Sequence, residues 1–100
     1  MDRILHLTVT KEWFDKIVSG EKTEEYREIK DYWDKRFVDK HHFFKNFDEV
    51  HFTNGYGSSR PFVRVECGRI FISHRTFMGV HKLVFVIELK KIIETRNIKE

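Results

Sequence analysis

The residues best suited to chemistry follow a glycine in the first third of the chain. Lys22, Glu25 and Arg27 place two cations and a carboxylate within six residues, shortly after Gly20. An arginine held by a carboxylate presents its remaining N–H donors in a fixed fork that suits a base edge or a phosphate. A lysine beside a second cation has its ammonium form disfavoured, and it can then act as a base or a nucleophile. The spacing therefore indicates a charged cleft for a polar ligand.

The same cluster also has a purely structural interpretation. On a strand running from residue 22 to 29, Glu25 and Arg27 share one face, whereas Lys22 is out of phase with them. Lys22 then lies either on the preceding turn or on a bulge of the strand. Cross-strand ion pairs on an exposed face contribute roughly 0–1 kcal/mol each and mark no site. Spacing alone leaves both interpretations open.

A glycine-rich segment, residues 54–59, supplies a second set of candidates. Asn54 and the loop amides have the donors to bind an anion or a base edge, and the Tyr56 ring can stack on a base. Arg60 follows directly and adds a cation. An Asn-Gly dipeptide is also the strongest short signal for a hairpin turn, an interpretation that needs no ligand.

Six histidines and one cysteine raise the question of a metal site. His41 and His42 are adjacent, and Cys67 is the single cysteine, so the chain has no zinc-type ligand spacing. We predict no metal and no cofactor. The single cysteine also excludes an internal disulfide, as is typical of a reducing compartment.

Length and composition predict one domain over residues 1–100, with 40% hydrophobic residues to fill a small core. No apolar run approaches the ~18–20 residues of a membrane helix, and the first residues lack the pattern of a signal peptide. We therefore expect a cytoplasmic protein with no membrane association. The sequence leaves its oligomeric state open.

Charge is distributed unevenly along the chain, whose net charge is +3. The first half carries ten basic and twelve acidic side chains, and the second half nine basic and four acidic. Five of these cations lie between Arg60 and Lys82 with Glu66 as the one acid among them. Such a region favours either a polyanionic partner or a solvated strand face.

Two helices are predicted in the first half. Apolar residues at helical spacing follow Thr10, whose hydroxyl can cap the helix, and Gly20 ends that helix because it adopts the left-handed conformation without steric cost. A shorter helix is predicted over residues 32–38, with Asp31 as its cap.

Strands outnumber helices. Alternation of side chains predicts them at residues 4–9, 49–53 and 63–73, with a bulge at Gly68. A polar strand is predicted at residues 22–29, and a further strand at residues 83–89. The last of these is almost wholly apolar, which predicts a central strand buried on both faces. Residues 75–81 are predicted as a loop, and the tail from Glu94 as frayed. The count predicts an α+β fold, a small, partly closed mixed β-barrel of about five to six strands, with one main N-terminal helix and one short helix.

The segment from Lys11 to Arg27 resembles the ASCH domain family. The family hallmark, G-x-K-x-x-E-x-R, is matched at every fixed position by Gly20, Lys22, Glu25 and Arg27. Residues 52–57 and 86–89 are also similar to short bacterial and phage members, so the resemblance covers nearly the whole chain. It implies a PUA-like β-barrel with a cleft for RNA or nucleosides beside the first helix. By this likeness Lys22, Glu25 and Arg27 line the cleft, and the loop of Asn54 and Tyr56 forms its rim.

Some single-domain members that resemble this chain hydrolyse the acetyl amide of a modified cytidine, with a threonine in the place of Glu25. Thr23 shares the strand parity of Glu25 and is the available hydroxyl. The resemblance thus implies either a binding module for RNA or a modified nucleoside, or a small hydrolase. The hydrolase would use Lys22 with Thr23 on acetylated cytidine, or Lys22 and Glu25 as the acid–base pair of a ribonuclease. A protein-interaction domain is the third hypothesis.

Overall fold

The computed structural model of the chain describes residues 3–55 and 57–98. In that part, two helices and five strands follow one another along the chain: β1 (Ile4–Thr8), α1 (Lys11–Val18), β2 (Glu24–Arg27), α2 (Asp31–Phe37), β3 (Glu49–Thr53), β4 (Phe62–Phe77) and β5 (Val80–Arg96). The strands form one mixed sheet in the order β1-β3-β4-β5-β2. Strands β1 and β3 are parallel, and the other neighbours are antiparallel.

The predicted α+β class and the two helices are confirmed, but the predicted barrel is wrong. A barrel requires hydrogen-bonded pairing between the first and last strands of the sheet. In the described residues β1 and β2 are the two edges and do not pair with each other, so the sheet is open. Arg27 of β2 nevertheless reaches the Thr8 carbonyl of β1, with Nη2 3.3 Å from the oxygen.

Helix α1 has the predicted ends. The Thr10 hydroxyl accepts a hydrogen bond from the Trp13 amide, and Gly20 has a φ of 80°, in the left-handed region. Phe14 and Ile17 are buried on the face that packs on the core. After Gly20 the chain turns back towards the C-terminal half of the helix, and the Lys22 amide donates to the Lys16 carbonyl there (3.0 Å).

Helix α2 begins one residue earlier than predicted. Asp31 is its first residue and Lys30 occupies the cap position without a side-chain hydrogen bond, so the predicted Asp31 cap is wrong. A carboxylate in the first turn still suits the helix dipole. The helix is anchored by Phe37, which is fully buried, stacks on Trp33 and meets Phe85 edge-on at a centroid separation of 5.1 Å.

Strands β4 and β5 form a much longer hairpin than predicted. The predicted loop over residues 75–81 is wrong, because the strands continue to a tight turn at Met78 and Gly79. Both turn residues have positive φ, the conformation that two-residue hairpins require. The predicted fraying from Glu94 is also wrong, since Glu94 and Arg96 pair in register with β4.

The bulge predicted at Gly68 is confirmed by shifts of the β4–β5 register on both sides of Cys67. A Cβ atom at Gly68 would lie 2.8 Å from the Cβ of Glu88, closer than such atoms pack. Strand β5 is central, as predicted, because it pairs with both β4 and β2 and Val84–Ile87 are fully buried. Neither helix has the length and apolar character that crossing a bilayer requires.

Candidate functional site

The structure shows on which element Lys22 lies. It lies on the turn between α1 and β2, which is the first of the two predicted alternatives, because β2 begins only at Glu24. Glu25 and Arg27 share one face of β2, as the strand period requires. That face points inward: Glu25 is 1% exposed and is the one buried charged residue in the described part of the chain.

The side chains of Lys22, Glu25 and Arg27 meet at the Glu25 carboxylate. Lys22 Nζ is 3.8 Å from Glu25 Oε1, and Arg27 Nη1 is 3.5 Å from Glu25 Oε2. The side chains of Lys22 and Arg27 are only 10% and 16% exposed. We call Lys22, Glu25 and Arg27 the ion triad. Its burial excludes the alternative of ion pairs on an exposed strand face.

Aromatic rings surround the Lys22 ammonium. Its Nζ lies 4.3 Å from the ring centroid of Trp13 and 4.5 Å from that of Tyr26, both within cation–π range. Burial lowers the pKa of Lys22, and the nearby carboxylates of Glu25 and Glu24 oppose that shift. The ammonium is therefore easier to deprotonate than that of an exposed lysine, which is a property required of a catalytic base.

Arg27 is fastened on the other side of Glu25. Its Nη2 donates to the Thr8 carbonyl, and its guanidinium carbon lies 5.1 Å from the ring centroid of Trp33. Burial lowers the pKa of Arg27, with Glu25 opposing the shift and Arg36 adding to it. The guanidinium still stays charged at neutral pH. Strand β2, the Thr8 carbonyl and the Trp33 ring hold the plane of the guanidinium and its remaining N–H donors in place.

Two buried polar atoms in the ion triad have no hydrogen-bond partner, namely Glu25 Oε2 and Arg27 Nε. They are the only such side-chain atoms in the described residues. The other Glu25 oxygen accepts from the Tyr26 amide (2.8 Å). A buried polar group without a hydrogen bond costs about 1–3 kcal/mol, and for Glu25 Oε2 the ion-pair contact with Arg27 Nη1 offsets part of that cost.

Lys22 and Arg27 line two different depressions, and a ligand cleft shared by the ion triad stays a prediction. Lys22 lines a depression of about 280 Å³ with Trp13, Thr23 and Tyr26, which we call the lysine depression. Arg27 lines a different depression of about 530 Å³ with Thr8, Trp33 and Arg36, which we call the arginine depression. Glu25 lines neither and forms the wall between them, because its carboxylate lies between the two cations.

Of the second set of predicted residues, Asn54 and Arg60 make no hydrogen bond or ion pair with the ion triad in the described residues. Asn54 donates through Nδ2 to the Val9 carbonyl (3.1 Å) and lines a separate depression with Phe14 and Pro61. Arg60 is exposed and donates to the Gly57 carbonyl (3.2 Å). Tyr56 lies outside the described residues. The described contacts give Asn54 and Arg60 structural roles in the connection between β3 and β4.

The basic stretch of the second half is largely occupied by ion pairs. Four of its five cations have carboxylate partners: Arg64 with Glu49 and Glu94, Arg69 with Glu88, Arg75 with Glu24, and Lys82 with Glu28. Three of those carboxylates belong to the acidic first half of the chain. The uneven charge of the sequence thus reflects, in part, pairing between its halves.

Sequence reasoning missed the residues that enclose the ion triad. Trp13 and Tyr26 enclose Lys22, and Trp33 and Arg36 flank Arg27. Trp33 and Arg36 are three residues apart, a spacing that places two side chains on one helix face, so their proximity was predictable. The pairing of Trp13 with Lys22 was not, because it depends on how the turn after α1 folds back.

In the part of the chain that the structure describes, no three or more His, Cys, Asp or Glu side chains are grouped so as to hold a metal ion. Comparison of the chain with models of known protein families, with curated proteins and with solved structures finds no match.

Proposed function

We propose that the chain is an ASCH domain protein of the short single-domain type, which binds RNA or a modified nucleoside at the ion triad. The observation that carries the proposal is Glu25: a carboxylate that is 1% exposed, contacts a cation on each side and has one oxygen without a hydrogen bond. Burying an ionised carboxylate costs several kcal/mol, and apolar side chains of similar volume often stabilise a core better. An arrangement that costs stability supports a functional role.

The lysine depression supplies the features that a nucleoside needs. Trp13 and Tyr26 offer ring faces, Lys22 offers a charged donor, and Glu24 beside them offers an acceptor. Its volume of about 280 Å³ is close to the lower end of the range for small-molecule sites, about 300–1,000 Å³. The depression therefore suits a single base or nucleoside, and longer RNA extends beyond it.

Binding of cytidine, acetylated cytidine and short single-stranded RNA tests this proposal by isothermal titration calorimetry. Lys22→Met keeps the length of the side chain and removes the charge, so we expect affinity for the preferred ligand to fall at least about tenfold, or ~1.4 kcal/mol. Lys91→Met, an exposed lysine that lines no depression around the ion triad, is the matched control. Equal affinities for folded Lys22→Met and Lys91→Met would remove the ion triad from the binding site.

A hydrolase is the second candidate function, favoured by two features of the lysine depression. Burial lowers the pKa of Lys22, and Thr23 lines the same depression. In this reaction Lys22 takes the hydroxyl proton of Thr23 as the oxygen attacks the acetyl carbonyl. The cytosine amine leaves with a proton, and water then hydrolyses the acetyl ester on Thr23 to acetate.

Incubation with acetylated cytidine, followed by chromatography of the products, separates the two functions. If the chain is a hydrolase, both Thr23→Val and Lys22→Met abolish turnover while Lys91→Met retains it. A parallel incubation with single-stranded RNA tests the ribonuclease alternative, in which Glu25 and Lys22 form the acid–base pair. If the unmodified protein binds a ligand but turns over neither substrate, the hydrolase and the ribonuclease are both rejected and the binding module is retained.

A further inference from the structure

The open edge of β1 is held by two arginines in place of a neighbouring strand. The carbonyls of His6 and Thr8 accept hydrogen bonds from Arg36 of α2 (3.2 Å) and Arg27 of β2 (3.3 Å). Both carbonyls belong to residues of the same parity, so they point to the same side of β1, away from its partner β3. Arg36 holds α2 alongside this edge, and a groove is left between helix and strand.

The groove consists of two adjoining depressions that share Arg36. One is the arginine depression, and the other, of about 510 Å³, is lined by Ile4 and Leu5 of β1 and by Lys35 of α2. Together they follow the whole length of β1, which is roughly 16 Å for its five residues. We call this combined surface the β1–α2 groove.

Positive charge dominates the lining of the β1–α2 groove. Two carboxylates line it, Glu28 and Asp39, and both are engaged elsewhere: Glu28 lies 3.6 Å from Lys82, and Asp39 accepts from the amides of His41 and Phe43. The lining cations number six: Arg3, Arg27, Lys30, Lys35, Arg36 and Lys45.

Most of these cations lack a counter-charge. In the described residues, Lys30, Lys35, Arg36 and Lys45 make no ion pair with a carboxylate, in contrast to the paired cations of β4 and β5. A concave surface with several uncompensated charges of one sign concentrates field and attracts an anion. Because the cations are spread over both depressions, the surface matches a chain of anionic groups better than a single one.

An exposed ring lies at one end of the same groove. Tyr32 is 56% exposed, lines the arginine depression, and accepts through its hydroxyl oxygen from Arg36 Nη1 (3.1 Å). Trp33 lies beside it, with the Arg36 guanidinium carbon 5.7 Å from its ring centroid. A cationic groove with an aromatic platform is how single-stranded nucleic acids are bound without base pairing, since phosphates meet the cations and a base stacks on the ring. An acidic peptide would contact the cations of the groove but would have no base to stack on the Tyr32 ring.

We propose that the β1–α2 groove binds the phosphodiester backbone of single-stranded nucleic acid, with one base stacked on Tyr32. The inference rests on the proposed function and extends it, because it adds a backbone track to the base or nucleoside site at the ion triad. Arg27 and Glu25 connect the two: Arg27 lines the groove, and Glu25 separates it from the lysine depression.

Fluorescence anisotropy with a labelled single-stranded RNA, measured across a range of sodium chloride concentrations, tests this track. The groove variant is Lys30→Ser with Lys35→Ser, and the matched control is Lys90→Ser with Lys91→Ser, two exposed lysines of β5 that line neither half of the groove. Each lost phosphate contact lowers the slope of log affinity against log salt by about 0.7 for a single strand, so the groove variant should lose about 1.4. The control variant should keep the slope of the unmodified protein.

Tyr32→Leu tests the stacked base separately. It should weaken RNA binding while leaving the salt slope unchanged, because the ring contacts a base and not a phosphate. Equal binding by Tyr32→Leu and the unmodified protein would remove the ring from the site.

Three results would overturn the backbone track itself. Equal salt slopes in the groove and control variants would place the phosphates elsewhere. Competition by duplex RNA as strong as by single strands would reject the single-stranded ligand. A glutamate oligopeptide that binds as tightly as RNA, and is lost in the groove variant, would assign the groove to an acidic protein. In each case the Lys22→Met titration with nucleosides still decides the ion triad independently.

Discussion

At the scale of single residues, Glu25 places a charged carboxylate in an interior that is otherwise apolar in the described residues. Its carboxylate is enclosed by Lys22 on one side and Arg27 on the other, and Tyr26 supplies one backbone donor. Removing one member of a buried ion pair is far more costly than removing an exposed one, because the remaining charges stay desolvated without a counter-charge. Stability and the proposed ligand binding therefore depend on the same three side chains.

Replacing Glu25 with glutamine measures that dependence. Glu25→Gln keeps the shape of the side chain and leaves two poorly exposed cations without their carboxylate, so we expect the free energy of unfolding to fall by about 3 kcal/mol. Urea denaturation followed by tryptophan fluorescence gives the value. Glu21→Gln, an exposed carboxylate in the lysine depression, is the control and should change stability by less than about 0.5 kcal/mol. Equal losses in the two variants would contradict the ion triad as the structure has it.

At the scale of elements, an arginine joins three strands on one face of the sheet. Arg64 of β4 contacts Glu49 of β3 at 3.0 Å and Glu94 of β5 at 2.9 Å. Arg96 also contacts Glu94, and the hydrogen bonds from the two arginines lower the pKa of that carboxyl to about 2. This network holds the far end of the β4–β5 hairpin, where sequence patterns predicted a frayed tail.

Acid titration tests the network. A carboxyl whose pKa is lower in the folded protein than in the unfolded chain stabilises the fold above pH 4.5, and the contribution is lost as the pH falls towards about 2. The unmodified protein should therefore lose more stability over this range than Glu94→Gln, in urea denaturation at a series of pH values. Glu12→Gln removes an exposed charge of α1 and controls for net charge. Parallel curves for Glu94→Gln and the unmodified protein would show that Glu94 contributes nothing to the acid response.

At the scale of the whole molecule, one apolar cluster joins both helices to all the strands except β2, whose buried residue is Glu25. Helix α2 enters this cluster through Phe37, and α1 through Phe14 and Ile17. Because α2 also forms one wall of the β1–α2 groove, its docking and the groove depend on the same contact. A chain with a single core should unfold in one cooperative transition.

Phe37→Ala tests that dependence. Truncating a fully buried phenylalanine costs about 3–5 kcal/mol, a large part of the ~5–15 kcal/mol that stabilises a typical domain. We expect the urea midpoint to fall by the same amount in tryptophan fluorescence and in far-UV circular dichroism. Phe43→Ala is the matched control, because Phe43 is 71% exposed and its loss should leave the midpoint nearly unchanged. Separate midpoints for the two probes would show that α2 unfolds independently of the sheet.

What sequence patterns predicted correctly depends on interactions within a few residues. The cap at Thr10, the helix end at Gly20, the bulge at Gly68 and the shared face of Glu25 and Arg27 all follow from local dihedral preferences and from strand period. These features were correct because neighbouring residues alone set them. The ion triad was identified at the level of residue types for the same reason.

The tertiary structure alone decided which residues far apart in the sequence contact one another. It left the sheet open between β1 and β2, extended the β4–β5 hairpin, and separated Lys22 from Arg27 by the wall of Glu25. It also paired the basic second half with acids of the first half and left the uncompensated cations beside β1. These outcomes depend on which side chains meet across long sequence separations, and patterns within a few neighbouring residues do not reveal such contacts.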